Sequence, residues 1–199
     1  MRVGLIGGIG SGKSLLARAL ERRGAEVIDA DRIGHRLLDD PEVKQALVDH
    51  WGREVLQDDG RIDRKAVGRR VFADPQELKF LNRTVHPRLV VEVRRRLDEL
   101  DGPDVPMVVI DAALLIEFGL DELCDRVIFV DAPRESRAAR VREHRGWSAR
   151  ELELRESSQI SLTEKRRRAD MVIENHTTPD HVEHQVERLW SALSDPGTR

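Results

Sequence analysis

The run Gly7-Gly8-Ile9-Gly10-Ser11-Gly12-Lys13-Ser14 constrains the fold of this chain more than any other feature. It satisfies G-x-x-x-x-G-K-[ST] and lies between the apolar segment Val3 to Ile6 and a stretch where Leu15, Leu16, Ala19 and Leu20 recur at helical spacing up to Gly24. Strand, loop and helix form the context the motif requires. The glycines leave room for backbone N–H groups to turn onto an anion, and the helix start adds its positive end. Lys13 can place an ammonium on the outer phosphates of a nucleotide, and the Ser14 hydroxyl can ligate magnesium. The expected phosphate-binding residues are Gly8, Ile9, Gly10, Ser11, Gly12, Lys13 and Ser14. A glycine-rich tight turn is the plainer alternative, but a chance match in a chain this long is on the order of 1 in 100 at a background glycine frequency near 7%.

The rest of the chain continues the alternation. Glu26 to Asp29 reads as a second short strand, followed by helical sequence to about Leu38, with Asp40 and Pro41 opening another helix as cap and first residue. The segment to Asp101 is expected to be helical. Within it, Asp74 with Pro75 opens a helix ending near Val85, and Pro87 starts a separate one carrying Leu89, Val93, Leu97 and Leu100 on one face. Met107 to Ile110 reads as a buried strand ending at Asp111, and Arg126 to Val130 as another ending at Asp131. Pro133 starts a helix to about Arg145, Ser148 caps the next, Met171 to Ile173 forms a last strand, and a helix runs from about Pro179 to Leu193 before a tail expected to fray from Ser194. Such alternation predicts an α/β fold, a mostly parallel five-stranded sheet covered on both faces, with ligands beyond the carboxyl ends of the strands. Gly7, Asp29, Asp111 and Asp131 all fall at such ends.

Length and charge then exclude several classes. With 199 residues the chain suits one compact α/β core of about 100 to 200 residues plus inserted elements. Against 37 acidic residues, 34 lysines and arginines leave a formal charge of -3, so no global basic field points to nucleic acid or an anionic membrane. Arg94 to Arg96 and Arg166 to Arg168 are not interleaved with stacking aromatics, and Trp51, Trp147 and Trp190 are too scattered for a stacking platform; core or interface packing is expected of them. The longest apolar stretches fall far short of the roughly 20 residues that span a bilayer, and with glycines and Lys13 following Val3 to Ile6 and no cleavage-like small-residue site, no signal peptide is expected. The single cysteine, Cys124, fits a reducing compartment and offers no structural zinc site. A cytoplasmic globular protein is expected, with no nucleic-acid or membrane partner.

A phosphate loop only holds a nucleotide, so the rest of the chemistry must come from elsewhere. Asp29-Ala30-Asp31 follows the second strand, where a carboxylate can accept a hydroxyl proton from a phosphoryl acceptor; Asp31 is the better candidate and Asp29 is equally readable as a helix cap. Asp111 ends the third strand, where it can hold a magnesium-bound water or orient substrate, or cap a helix over Ala112 to Phe118. Between Arg134 and Arg168 there are eleven basic and six acidic residues. Within this region Arg137 and Arg140, at i and i+3, share a helix face that can meet phosphates. His86 either contacts substrate or packs at a helix boundary.

Taken in order, these residues resemble the bacterial dephospho-coenzyme A kinase family almost end to end. The resemblance rests on Val3 to Ser14, Asp29-Ala30-Asp31-Arg32, His86-Pro87, Asp111 with Leu114, Leu115 and Glu117, and Val130-Asp131-Ala132-Pro133. It continues in Arg140, Gln159, Lys165, Ala169-Asp170 and Ile173-Glu174-Asn175. The resemblance implies a phosphate-loop NTPase three-layer sandwich with a core of residues 1–32, 102–133 and 169–199, a helical coenzyme A insertion at 33–101, and a lid at 134–168. It implies transfer of the ATP γ-phosphate to the ribose 3′-hydroxyl of dephospho-coenzyme A, with Mg2+. Asp31 and Lys13 would be catalytic, Arg140 would contact ATP from the lid, and Asp31, His86, Asp111, Leu114 and Glu117 would bind substrate. The chain departs from the family pattern at Ala113, where proline is usual, at Arg137, where glutamine is usual, and at His144, where arginine is usual. Another small phosphate-loop kinase, acting on a nucleoside monophosphate or a metabolite alcohol, and a nucleotide-sensing protein are the alternatives.

Overall fold

Among the described residues the apolar runs of the sequence become five strands, all parallel. The computed structural model describes residues 1–175 and 179–194, so the tail expected to fray beyond Ser194 lies outside the described residues. β1 (Arg2–Gly7) runs into the glycine-rich loop, α1 (Lys13–Glu21) leaves it, and β2 (Glu26–Asp29) follows. The next elements are helical: α2 (Ala30–Leu37), α3 (Pro41–Trp51), α4 (Arg64–Ala73) and α5 (Pro75–Glu99). Then come β3 (Val108–Asp111), β4 (Arg126–Asp131), α6 (Arg134–Arg145), α7 (Ala149–Glu156), α8 (Leu162–Arg168), β5 (Met171–Glu174) and α9 (Pro179–Ser194). The chain forms two compact units, Met1–Asp29 with Arg96–Arg199, and Ala30–Arg95.

In the first unit the sheet order is β2-β3-β1-β4-β5. Period-two alternation splits each strand between two faces. Val3 and Leu5 of β1, Val109 of β3 and Ile128 and Val130 of β4 pack with Leu16 and Leu20 of α1 and Val182 and Val186 of α9. Gly4, between Val3 and Leu5, faces the other way, where a Cβ would come within 2.7 Å of Leu115 and 2.8 Å of Cys124. On that face Phe129 lies 6.0 Å from the Arg166 guanidinium of α8. Both faces are therefore covered, which is why the strands are apolar runs rather than alternating ones. At the β5 edge, Gln185 of α9 accepts from the Glu174 N–H at 2.9 Å and donates to its carbonyl at 2.8 Å, doing there what a further strand would do.

Register sets the strand ends. Asp29 pairs with Asp111, and Leu5 of β1 also lies opposite Asp111, so β1 extends two residues beyond β3 before the loop begins. On its other side β1 pairs with β4, Gly7 opposite Val130. The chain crosses from one side of β1 to the other between β3 and β4, so the end of β1 is the place where an open parallel sheet binds ligands.

The second unit has its own apolar cluster, including Val43, Leu47, Trp51, Val67 and Val71. Asp40 caps α3, accepting from the N–H groups of Glu42 at 3.1 Å and Val43 at 3.2 Å. Trp51 donates from Nε1 to Glu77 at 2.5 Å and meets Phe80 edge-on at 5.3 Å, so Trp51 is a packing residue.

One expectation is corrected. α5 is a single helix through Pro87, where two helices were expected. Proline removes one backbone donor, yet Val85, Leu89, Val93 and Leu97 recur every fourth residue across it and are all buried. That continuous apolar stripe outweighs one missing hydrogen bond. Among the described residues no helix is long and apolar enough to cross a membrane.

Candidate phosphoryl-transfer site

The site is built around the turn between β1 and α1. Ser11 N–H donates to the Gly8 carbonyl at 3.0 Å, closing the loop, and Gly12 takes a left-handed conformation (φ 97°) at the start of α1. Neither Gly10 (φ 78°) nor Gly12 can be replaced cheaply. A Cβ on Gly12 would lie 2.1 Å from Asn175 Nδ2, and one on Gly10 would lie 2.8 Å from the Arg137 carbonyl.

The loop carbonyls are held from the α6 and β5 side. Arg140 donates from Nη1 to the carbonyls of Gly10 at 3.2 Å and Ser11 at 3.3 Å, and from Nη2 to Asn175 O at 3.0 Å and Oδ1 at 3.5 Å. Asn175 Nδ2 donates to the Ser11 carbonyl at 2.7 Å. Arg137, 4% exposed, donates from Nε to Ala132 O at 3.2 Å and from Nη1 to Ile9 O at 3.4 Å, and pairs with Glu156 of α7. In a planar trans peptide the N–H points opposite to the C=O. Fixing the carbonyls of Ile9 and Ser11 on one side therefore turns the N–H groups of Gly10 and Gly12 to the other, while the Ser11 N–H is held by the Gly8 carbonyl. No side chain caps the start of α1, and its first turn carries no acid, so its positive end is not neutralised locally. Pre-oriented amides, a helix N-terminus and the half-buried Lys13 make an anion cradle.

Ser14 Oγ donates to Asp111 Oδ2 at 2.9 Å, joining α1 to the end of β3. Asp111 is buried and followed by turns rather than by a helix, so it is not the helix cap that its position allowed. Among the described residues no group of three or more His, Cys, Asp or Glu could hold a metal ion alone. Mg2+ keeps waters and phosphate oxygens and takes only one or two protein oxygens. Ser14 and Asp111 are oxygen donors of that kind.

A second cluster lies on the turn after β3. Lys165, fully buried, donates from Nζ to Gln159 Oε1 at 2.9 Å and Ala113 O at 3.0 Å and pairs with Glu117 Oε1 at 3.2 Å. The same Glu117 oxygen accepts from Ile160 N–H at 3.0 Å. Leu114, half-buried, precedes this cluster. Burial pushes the Cys124 thiol up to about 12, with the charges of Asp121 and Asp125 adding to the effect.

Gly8 to Ser14, Asp111 and Arg140 are thus gathered at one place, while Leu114 and Glu117 lie on the turn that Lys165 holds. Asp31, exposed in the first turn of α2, and His86, half-buried in α5, belong to the second unit. Sequence reasoning overlooked the bracing by Asn175 and Arg137. Its signals were a polar residue just past the end of β5 and the i, i+3 pairing of Arg137 with Arg140.

The dephospho-CoA kinase family model matches residues 1–180. The chain belongs to the dephospho-CoA kinase family. A dephospho-CoA kinase of Symbiobacterium thermophilum is 41% identical over 191 residues, covering 96% of this chain and 80% of that protein. The crystal structure of TT1252 from Thermus thermophilus aligns with a TM-score of 0.79 at 33% identity, covering 96% of each chain. The dephospho-CoA kinase of Campylobacter jejuni shares the fold, with a TM-score of 0.73 at 24% identity over 97% of this chain and 96% of that one. The α/β architecture of the family, a parallel five-stranded sheet with helices, is the one seen here.

Proposed function

We propose that the chain transfers the γ-phosphoryl group of ATP to the ribose 3′-hydroxyl of dephospho-CoA, giving CoA and ADP, the final step of CoA synthesis. The observation that carries the proposal is the family match over residues 1–180, on a chain whose loop amides are turned into an anion cradle beside Ser14 and Asp111.

The 3′-oxygen attacks the γ-phosphorus, a new O–P bond forms, and the bond between that phosphorus and the β,γ-bridging oxygen breaks. ADP leaves with the electron pair. The loop from Gly8 to Gly12, with Lys13, holds the donor phosphates and neutralises the charge that spreads over the equatorial oxygens. Ser14 and Asp111 would hold Mg2+, which would supply positive charge against the donor phosphates. Asp31 takes the acceptor proton, as a carboxylate placed at the acceptor hydroxyl would. Residues 1–32, 102–133 and 169–199 form the nucleotide core, 134–168 the lid and 33–101 the insertion that receives the CoA moiety. His86 and Leu114 contact that substrate, and Glu117 acts on it by positioning, through its pair with Lys165. Arg140 adds charge near the phosphates while its N–H groups set the loop. The lone Cys124 thiol is in keeping with a cytoplasmic enzyme.

Asp31→Asn tests the reading. Phosphoryl transfer to dephospho-CoA should fall at least about 100-fold, within the range for a lost general base, while ATP affinity stays within about two-fold. Unchanged turnover would remove Asp31 from the mechanism.

A further inference from the structure

We propose that Glu156 of α7 is a positioning residue for the donor nucleotide: it holds the buried Arg137 guanidinium against the phosphate loop, and without it the loop amides lose their set direction. The inference rests on the proposed function above for the transfer step, whereas its nucleotide-binding step is independent of the acceptor.

Arg137 lies against three consecutive loop residues. Its Nη1 donates to the Ile9 carbonyl at 3.4 Å, a Cβ on Gly8 would come within 2.8 Å of that Nη1 and 3.0 Å of Cζ, and a Cβ on Gly10 would come within 2.8 Å of the Arg137 carbonyl. Gly10 has a positive φ and needs glycine for its backbone alone, but Gly8 does not. What requires the missing side chain at Gly8 is the guanidinium that fills its place.

The loop does not hold this guanidinium by itself. The contact with Ile9 is long for an N–H to carbonyl bond, the second anchor, from Nε to Ala132 O, is 3.2 Å, and both acceptors are neutral. A cation closed off from water needs a counter-charge, and Glu156 Oε1 supplies it on the same Nη1. That nitrogen carries two hydrogens, so it joins the carboxylate of α7 to the carbonyl of the loop. The place of Glu156 is set by its neighbours: Ser148 and Glu151 cap the start of α7, and the guanidinium of Arg155, the preceding residue, lies 3.9 Å over the Trp147 ring. Without the carboxylate, the long Arg137 side chain turns out to water and releases the Ile9 carbonyl.

A tie between α6 and α7 does not account for the pair. Val141 of α6, Leu152 of α7 and the Ile9 side chain already pack together with Ala138 and Trp147, so the two helices are joined to each other and to the loop by apolar contact. A buried ion pair adds little stability over apolar packing, because desolvation offsets most of the attraction. What the pair adds is direction. In a planar peptide the Ile9 carbonyl fixes the Gly10 N–H, so the contacts from Glu156 through Arg137 to Ile9 end at an amide of the anion cradle.

The test uses the full chain, Glu156→Gln and the double variant Arg137→Gln/Glu156→Gln. Calorimetry reads Kd for a non-hydrolysable ATP analogue with Mg2+, and steady-state kinetics read kcat and KM with dephospho-CoA. For Glu156→Gln the proposal expects Kd to rise at least about five-fold and kcat to fall at least about ten-fold, with KM for dephospho-CoA within about two-fold. The double variant should recover at least about half of each loss on a logarithmic scale, because a glutamine amide donates to the Ile9 carbonyl without a charge to satisfy. A Kd that does not weaken, or an unchanged kcat, overturns the proposal; tighter binding would make Glu156 only a charge that repels the phosphates. A double variant no better than the single one also overturns it, since Arg137 would then not be the intermediary. Should circular dichroism show Glu156→Gln unfolded, Glu156→Asp decides: it keeps the charge with a shorter reach, and kcat should fall at least about three-fold with KM for dephospho-CoA unmoved, whereas an unaltered kcat overturns the proposal. No transfer to dephospho-CoA by the unaltered chain defeats the proposed function, and the analogue binding still decides the role of Glu156.

Discussion

Ser14 Oγ and Asp111 Oδ2, 97 residues apart in sequence, are 2.9 Å apart in the structure. The contact ties the helix that leaves the phosphate loop to the end of the neighbouring strand, because β1 and β3 are in direct register. It puts a hydroxyl and a carboxylate side by side at the end of the phosphate loop, the pair proposed above to hold a nucleotide-bound cation.

Asp111→Asn keeps an acceptor for Ser14 and removes the charge. With ATP fixed, the half-saturating Mg2+ concentration should rise at least ten-fold and kcat should fall about 100-fold, the scale of losing one electrostatic stabiliser. A magnesium titration of activity checks this, and an unshifted titration would take Asp111 out of the cation site.

Gly12→Ala forces a Cβ into Asn175 Nδ2, 2.1 Å away, at a φ of 97° that side chains rarely adopt. The loop must shift, and an ångström of displacement costs about 100-fold in a positioned reaction. Nucleotide binding measured by calorimetry should weaken while the rest of the fold persists, since the strain is confined to the turn.

Lys165 and Glu117 form a buried pair, with 0% and 14% of their side chains exposed. Lys165→Met leaves the Glu117 carboxylate facing no cation, a change that costs about 3 to 5 kcal/mol when a buried pair is broken from one side. Adding Glu117→Gln should restore part of that loss, because the amide needs no counter-ion. Chemical denaturation of the single and double variants measures both; additive losses would show that the two side chains do not depend on each other.

Much of this arrangement was legible in the sequence. The glycine spacing gave the loop, the apolar runs gave the strands, and Asp40 and Ser148 marked helix starts because capping is a local interaction. Ser148 and Glu151 indeed form a reciprocal capping box. What escaped the sequence was set by partners distant along the chain. Pro87 suggested a boundary, but the buried stripe from Val85 to Leu97 continued the helix. Glu117 stood as a candidate substrate contact, and only the fold brings Lys165 to it from 48 residues away. The charges of Arg137 and Arg140 were visible, but not that both guanidinium groups turn onto loop carbonyls.

The Cys124 thiol, held up at about 12 against a usual value of 9.0, makes stability depend on alkaline pH. A folded-state value above the unfolded one leaves its contribution intact below about pH 9 and removes it progressively as pH rises toward 12. The chain has no tyrosine to titrate in that window. The denaturation midpoint should be flat up to pH 8.5 and fall above 9, and Cys124→Ala should lose part of that fall. Alkylation of the folded chain at pH 8 should be slow and become fast on unfolding. Rapid labelling of the folded chain would show an exposed thiol instead.

The central claim is that the 3′-hydroxyl of dephospho-CoA is the acceptor, and mass spectrometry tests it most directly. Dephospho-CoA is incubated with the chain and Mg-ATP, with adenosine monophosphate and a panel of small alcohols in parallel, and the product is examined by NMR to locate the added group. The account predicts one phosphoryl gain, on dephospho-CoA in preference to the other acceptors, at the 3′-oxygen. A gain on another acceptor with none on dephospho-CoA, or no transfer to any acceptor while ATP is bound, would contradict it.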